Sequence, residues 1–205
     1  MIGDLVGSRR ARDRRGLHES LSEVLAAVNS DLAPAVPLRV TAGDEFQGCF
    51  ATLGEALHAT LRVRLALAPE DLRQGIGWGQ ISVLAAEPRV EDGPGWWAAR
   101  AAIVEVADRA ERAATRMART AYRLADGADG PDPHAVNAAL MCRDHLLGSA
   151  SQRSVRLVAG ALAGRTQAEL AAFEGISASA VSQRMRRDGL TVLLAAEELL
   201  KEVGR

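Results

Sequence analysis

Residues 165–187 read RTQAELAAFEGISASAVSQRMRR, and this stretch decides how the C-terminal part of the chain folds. Residues 167–173 make one short helix, Gly175 takes a left-handed turn, and Ser177 caps a second helix that runs through residues 180–187. Leu170, Ala171, Ile176, Val181 and Met185 fall where two crossing helices seal a shared core. Ser179, Ser182, Gln183, Arg186 and Arg187 are left on the outer face. Arginine and glutamine meet base edges in a major groove, and serine meets phosphate or base. The order helix, glycine turn, capped helix therefore predicts a helix-turn-helix that binds double-stranded DNA. The same order also suits a plain three-helix cap.

Composition bounds the rest. A chain of 205 residues makes one large domain or two small ones, and 48% apolar residues supply a core. Aromatics are only 3%, so that core is built from Leu, Val and Ala. A formal net charge of −1 argues against coating nucleic acid nonspecifically, and attraction has to come from local patches. Arg184, Arg186 and Arg187 form one, and Arg9, Arg10, Arg12, Arg14 and Arg15 form another. Cys49 and Cys142 fit no metal-ligand spacing and read as buried thiols of a cytoplasmic protein. His18, His58, His134 and His145 form no metal motif and read as ordinary helix residues. No apolar run is long enough to span a bilayer, and the opening MIGDLVGSRR lacks a signal-peptide stretch, so no membrane partner is expected.

Before residue 126 the pattern alternates strands and helices. Residues 2–6 are a short strand ending near Asp4; either the strand is unusually short or the start is clipped. Leu17, Leu21, Val24, Leu25, Val28 and Leu32 recur at helical spacing, and Pro34 and Pro37 end that helix. Leu38, Val40 and Ala42 alternate into Gly43 and Asp44, and Phe46, Gly48 and Phe50 alternate beyond, which predicts a tight hairpin. A helix follows through Leu53, Leu57, Leu61 and Leu65, then a strand over 72–84 interrupted by Gly75, Gly77 and Gly79, which suggest close approach of another chain segment or a ligand. A third helix is expected over 96–119 and an edge strand over 120–125. The turn-rich DGADGPDP at 126–133 divides the chain into residues 1–127, helices on a mainly antiparallel sheet, and a helical part, 128–205. The helix after Gly189 carries Leu190, Leu193, Leu194, Leu199 and Val203, which either fold back or pair with a second subunit.

Asp4 at a strand tip and Asp44 at the hairpin turn lie side by side if their strands pair. Two such carboxylates hold Mg²⁺, which in turn holds nucleotide phosphates, with Glu45 as a spare ligand. The alternative is that Asp44 is the residue a tight turn prefers and Asp4 has no special role. Arg9 and Arg10 follow Asp4 where a helix opens, which favours a phosphate-bearing ligand; a solvated basic face is the other reading. Among Trp78, Trp96 and Trp97 at least one is expected to fill the core. The pair Trp96 and Trp97 after a Gly-Pro-Gly turn favours a ligand or partner surface.

IGDLVGSR at 2–9, GDEFQG at 43–48, GIGWGQIS at 75–82, DGPGWWAAR at 92–100 and the C-terminal TQAELAAFEGISASAVSQRMR together resemble the SatD family of bacterial proteins. That resemblance covers nearly the whole chain and implies a cytoplasmic protein with a DNA-binding domain at its end. More distantly, residues 1–127 are similar to the palm of class III nucleotide cyclases and GGDEF proteins. The fold class implied is α+β: a ferredoxin-like, cyclase-type palm followed by an all-helical helix-turn-helix domain. Asp4 and Asp44 then match the metal-binding aspartates, with Mg²⁺ or Mn²⁺ as cofactor, and Arg100 matches the arginine that stabilises the transition state. Trp96 stands where cyclases carry the ribose-orienting Asn, and no residue matches the purine-reading Lys and Asp. Losing a positioning group costs rate more than binding. The resulting expectation is a homodimeric DNA-binding regulator whose first domain senses a nucleotide or another phosphate ligand. The alternative is a Mg- or Mn-dependent enzyme acting on ATP or GTP, and a third reading has two protein-interaction modules.

Overall fold

The computed structural model describes residues 1–87 and 89–204, apart from the Arg9 side chain. β1 (Ile2–Leu5) passes through a 3-10 turn at Ser8–Arg10 into α1 (Arg14–Leu32), which Asp13 caps by accepting from the Gly16 amide. Leu21, Leu25 and Val28 form the buried stripe of α1. Burying each such leucine contributes about 1.5–3 kcal/mol. β2 (Val36–Ala42) and β3 (Glu45–Cys49) form the expected hairpin, and Thr52 and Glu55 make a reciprocal capping box at the start of α2 (Leu53–Leu67). β4 (Leu72–Trp78) comes next, then a separate hairpin of β5 (Ser82–Ala86) and β6 (Arg89–Asp92), α3 (Pro94–Ala110) and β7 (Thr120–Leu124).

The main sheet has the order β2-β3-β1-β4-β7, antiparallel except for the parallel pair β4–β7 at one edge. Its two faces are dressed differently. Met1, Leu5, Phe46, Leu72 and Ile76 pack with α1 and α2, whereas Ile2 packs with Trp96, Ala99 and Ile103 of α3. α3 lies directly on β4: a Cβ at Gly75 would sit 2.3 Å from the Ala99 carbonyl oxygen, and one at Gly77 would sit 2.1 Å from that of Gly95. The glycines expected to permit close approach thus admit a helix backbone.

Two expected elements are shorter than their patterns suggested. The strand anticipated through Leu84 ends at Trp78, because the chain turns away at Gly79 and Gln80 and residues 82–86 pair with β6 in a two-stranded sheet of their own. The helix anticipated through Arg119 stops at Ala110, where the Thr115 hydroxyl donates to the Arg109 carbonyl (2.7 Å) and a 3-10 turn follows.

The remainder is helical: α4 (Pro133–Ser149), α5 (Gln152–Leu162), α6 (Gln167–Glu174), α7 (Ala178–Arg187) and α8 (Leu190–Leu200). The chain is therefore a mixed α+β unit followed by an all-helical region. No described helix is long and apolar enough to cross a membrane. Val136 and Leu140 of α4 belong to the sheet core, and Leu157, Leu170, Val181, Met185, Leu190 and Leu193 form a second core that also takes Leu61 and Leu65 of α2. On α8, Leu190 and Leu193 fold back into the helical core and Leu200 reaches the sheet core, while Val192 and Leu199 stay exposed.

A buried polar network fastens the two regions. Glu197 of α8 meets His58 Nδ1 of α2 at 3.0 Å and lies 3.6 Å from Arg143 of α4. Arg143 also donates to the Leu57 carbonyl (3.1 Å) and to the Thr60 and Thr120 hydroxyls. Asp144 accepts from the Arg119 and Thr120 amides (2.7 and 2.8 Å) and from Arg64, whose pKa burial pulls down. His58, expected as an ordinary helix residue, is buried in this joint, whereas Cys142, expected as a buried thiol, is exposed on the outer side of α4 and Cys49 is half-buried.

Candidate functional site

Local sequence builds the α6–α7 pair at every joint. Thr166 and Glu169 form a capping box at the start of α6, Gly175 ends it at φ 64°, and the Ser177 hydroxyl accepts from the Ala180 amide (3.2 Å) to start α7. Val181 and Met185 are buried against Leu170 and Ala171, with Ile176 packed beside them. Ser179, Gln183, Arg186 and Arg187 are exposed on the other side of α7, and Ser182 is half-buried. The Ser179 hydroxyl lies 3.0 Å from that of Ser177. Gln183 and Arg186 make no side-chain hydrogen bond or ion pair among the described residues.

The neighbouring arginines are engaged within the chain. Arg187 Nε donates to Asp188 (2.8 Å), which also accepts from the Ser154 hydroxyl, and the two hold the Asp188 carboxyl below its usual range. Arg156 and Arg153 both converge on Glu174, and Arg165 lies over the Phe173 ring at 5.3 Å.

At the other end, four charged side chains form a row across the α3 face of the sheet. The register Gly3↔Phe46 sets Asp4 opposite Glu45, and Asp4↔Arg73 sets Arg73 on its other side. Arg73 donates from Nε and Nη2 to both Asp4 oxygens (2.9 and 2.8 Å), and Arg100 grips both Glu45 oxygens (2.6 and 2.7 Å). The Arg100 hydrogen bonds hold the Glu45 carboxyl below its usual range, and Arg100 is raised by Glu45 and, more weakly, by Asp4. Asp44 accepts from the Leu5 amide at 3.2 Å, so its carboxylate rests on the strand end beside Asp4. No set of three or more His, Cys, Asp or Glu residues suited to holding a metal occurs among the described residues.

Arg10 is exposed and makes no side-chain hydrogen bond or ion pair among the described residues, while the side chain of Arg9 lies outside them. Trp97 is exposed and its indole donates to Asp92 (2.8 Å). Trp96 corrects the expected surface pair: it is buried against Ile2, Ala99 and Ile103, with its indole nitrogen unpartnered among the described residues. Sequence reasoning missed Arg73. The signal was its place in the alternation 73-75-77, where the two glycines leave it as the lone side chain on that face of β4.

Comparison with known proteins agrees with the motif order. No curated protein and no solved structure matches the chain. The SatD family model matches residues 1–203. The chain belongs to the SatD family.

Proposed function

We propose that this protein is a cytoplasmic DNA-binding transcription regulator in which α6 and α7 act as a helix-turn-helix and α7 reads the major groove of double-stranded DNA. One observation carries the reading: Gln183 and Arg186 stand exposed and without a side-chain partner among the described residues, on a helix whose opposite side, Val181 and Met185, is locked into the core. A rigid helix presenting a free amide and a free guanidinium suits base-edge contacts, and Ser179, Ser182 and Arg187 flank them for phosphate or base. The uncovered apolar residues Val192 and Leu199 of α8 support action as a homodimer. Selection from fragmented genomic DNA by the full-length chain tests the proposal. Enriched fragments should carry paired half-sites separated by about 34 Å or a multiple of it. Enrichment no better than for random sequence overturns it.

In this reading the first domain is a ferredoxin-like, cyclase-type palm that senses a nucleotide or other phosphate ligand. The antiparallel order β2-β3-β1-β4 and Arg10 near the end of β1, without a side-chain partner among the described residues, support it. A second reading, an enzyme on ATP or GTP using Asp4, Asp44 and Arg100, is favoured by the seat of Asp44 on the Leu5 amide. Arg73 donates to both Asp4 oxygens, so Mg²⁺ or Mn²⁺ would have to displace or share that guanidinium to be held by Asp4 and Asp44. Calorimetry with Mg²⁺–ATP separates the readings: binding without turnover supports a sensor, and turnover lost in D4N/D44N supports the enzyme.

A further inference from the structure

Met117, Met141, Cys142 and His145 line one groove of about 380 Å³, between the turn after α3 and the outer side of α4, together with Ala114, Thr115, Ala118 and Leu146. The whole chain holds only four Met, two Cys and four His. Two of those methionines, one cysteine and one histidine meet here, so half of the lining residues carry a soft sulfur or imidazole donor. Helical spacing puts His145 one turn from each of the other two: Cys142 and His145 stand at i, i+3, and Met141 and His145 at i, i+4, with Cβ atoms about 5–6 Å apart. Met117 comes from across the groove. Its sulfur rests over Gly148, where a Cβ would stand 2.8 Å away, so the thioether reaches the bare backbone one turn beyond His145. Cys142, His145 and Met141 are exposed and open to an ion from solvent, whereas Arg143 and Asp144 turn inward to the buried joint.

We infer that this groove is a binding site for a soft monovalent cation, Cu(I), held by the Cys142 thiolate, the His145 imidazole and the thioethers of Met117 and Met141. Thioethers and thiolates select Cu(I), while Mg²⁺ and Ca²⁺ require oxygen ligands, for which the lining offers only the Thr115 hydroxyl and backbone. Charge points the same way. A thiolate with Cu(I) is formally neutral and costs little against an apolar wall, whereas Zn²⁺ with the same ligands leaves a positive charge there. As the copper–sulfur bond forms, Cys142 releases its thiol proton to solvent. Copper enters and stays as Cu(I), so no oxidant or reductant is consumed. The site is independent of α7 and of the Asp4 row, and it stands or falls apart from DNA binding.

The test is a titration of the reduced, full-length chain with Cu(I) buffered by bicinchoninate, without oxygen. The wild type is expected to withdraw a single equivalent from the chelator and to gain near-ultraviolet thiolate-to-copper absorption. C142S should abolish both, M117L/M141L should weaken binding about tenfold or more, and C49S should change nothing. Tight binding retained by C142S, binding lost in C49S, M117L/M141L equal to wild type, or no withdrawal at all each overturns the site. Copper-edge X-ray absorption on the wild-type complex tests the same ligand set without any variant. Several sulfur neighbours plus one nitrogen support the proposal, and a single sulfur reduces it to a bare thiol adduct and refutes it.

Discussion

Arg100 and Arg186 are both surface arginines on helices of one chain, and their surroundings are opposite. Arg100 is gripped by both oxygens of Glu45, and its neighbour in the row, Arg73, by both oxygens of Asp4. Arg186 has no partner among the described residues, and Gln183 beside it has none either. A ligand approaching the sheet face has to displace carboxylates that already match the guanidiniums in a two-pronged geometry. A phosphate or base approaching Gln183 and Arg186 of α7 displaces only water, although Arg187 must first leave Asp188. Helix α7 therefore carries the functional reading, and the sheet face is a site that any ligand must first open.

That contrast holds only if one rigid frame carries both regions, and the frame is where the largest effect is expected. E197A leaves Arg143 buried without its carboxylate and removes the partner of His58. Breaking a buried charge pair from one side costs about 3–5 kcal/mol, so urea denaturation should show the midpoint falling by a large fraction of the total stability. A loss below about 1 kcal/mol would mean that the joint does not hold the regions together.

A smaller effect sharpens the contrast at α7 itself. S177A removes the hydroxyl that accepts from the Ala180 amide and should cost about 1 kcal/mol while sparing the rest of the fold. Melting followed by calorimetry checks it, and no shift would mean that the start of α7 is held by packing alone.

The smallest effect lies in the charged row. R100A should cost less than about 1 kcal/mol at neutral pH, because the pair is partly exposed. Its sign with pH is definite. Arg100 depresses the Glu45 carboxyl below the ordinary 4.5, so the pair's stabilisation is fully present above that value and is lost as pH falls through the depressed one. R100A should accordingly flatten part of the acid loss of stability in denaturation series run between about pH 5 and pH 3. An unchanged acid slope would show that the pair contributes nothing.

What the sequence disclosed follows the range of the interactions. The α6–α7 unit was legible because its signals are local: Gly175 at the turn, Ser177 three residues before the amide it caps, and apolar residues at helical spacing. The hairpin at Asp44 was legible for the same reason. The buried joint was not, since Glu197 and His58 stand 139 residues apart and His58 alone reads as an ordinary helix residue. In the candidate sheet site, Asp4, Asp44 and Arg100 were read from the residues and the family resemblance. The two ion pairs that neutralise the row depend on a cross-strand register that no local pattern reveals. Trp96 misled because a tryptophan pair after a glycine turn looks like a surface, while the closeness of α3 to β4 draws one of the two inward.

The salt dependence of DNA binding tests the central claim most directly. With a selected genomic fragment, log affinity against log salt should fall linearly, and R186A/R187A should weaken binding and flatten that slope by about 1 or more, whereas R73A/R100A should leave it unchanged. Equal slopes for the wild type and R186A/R187A, or a slope that moves only with R73A/R100A, would contradict the assignment of α7 as the DNA-reading helix.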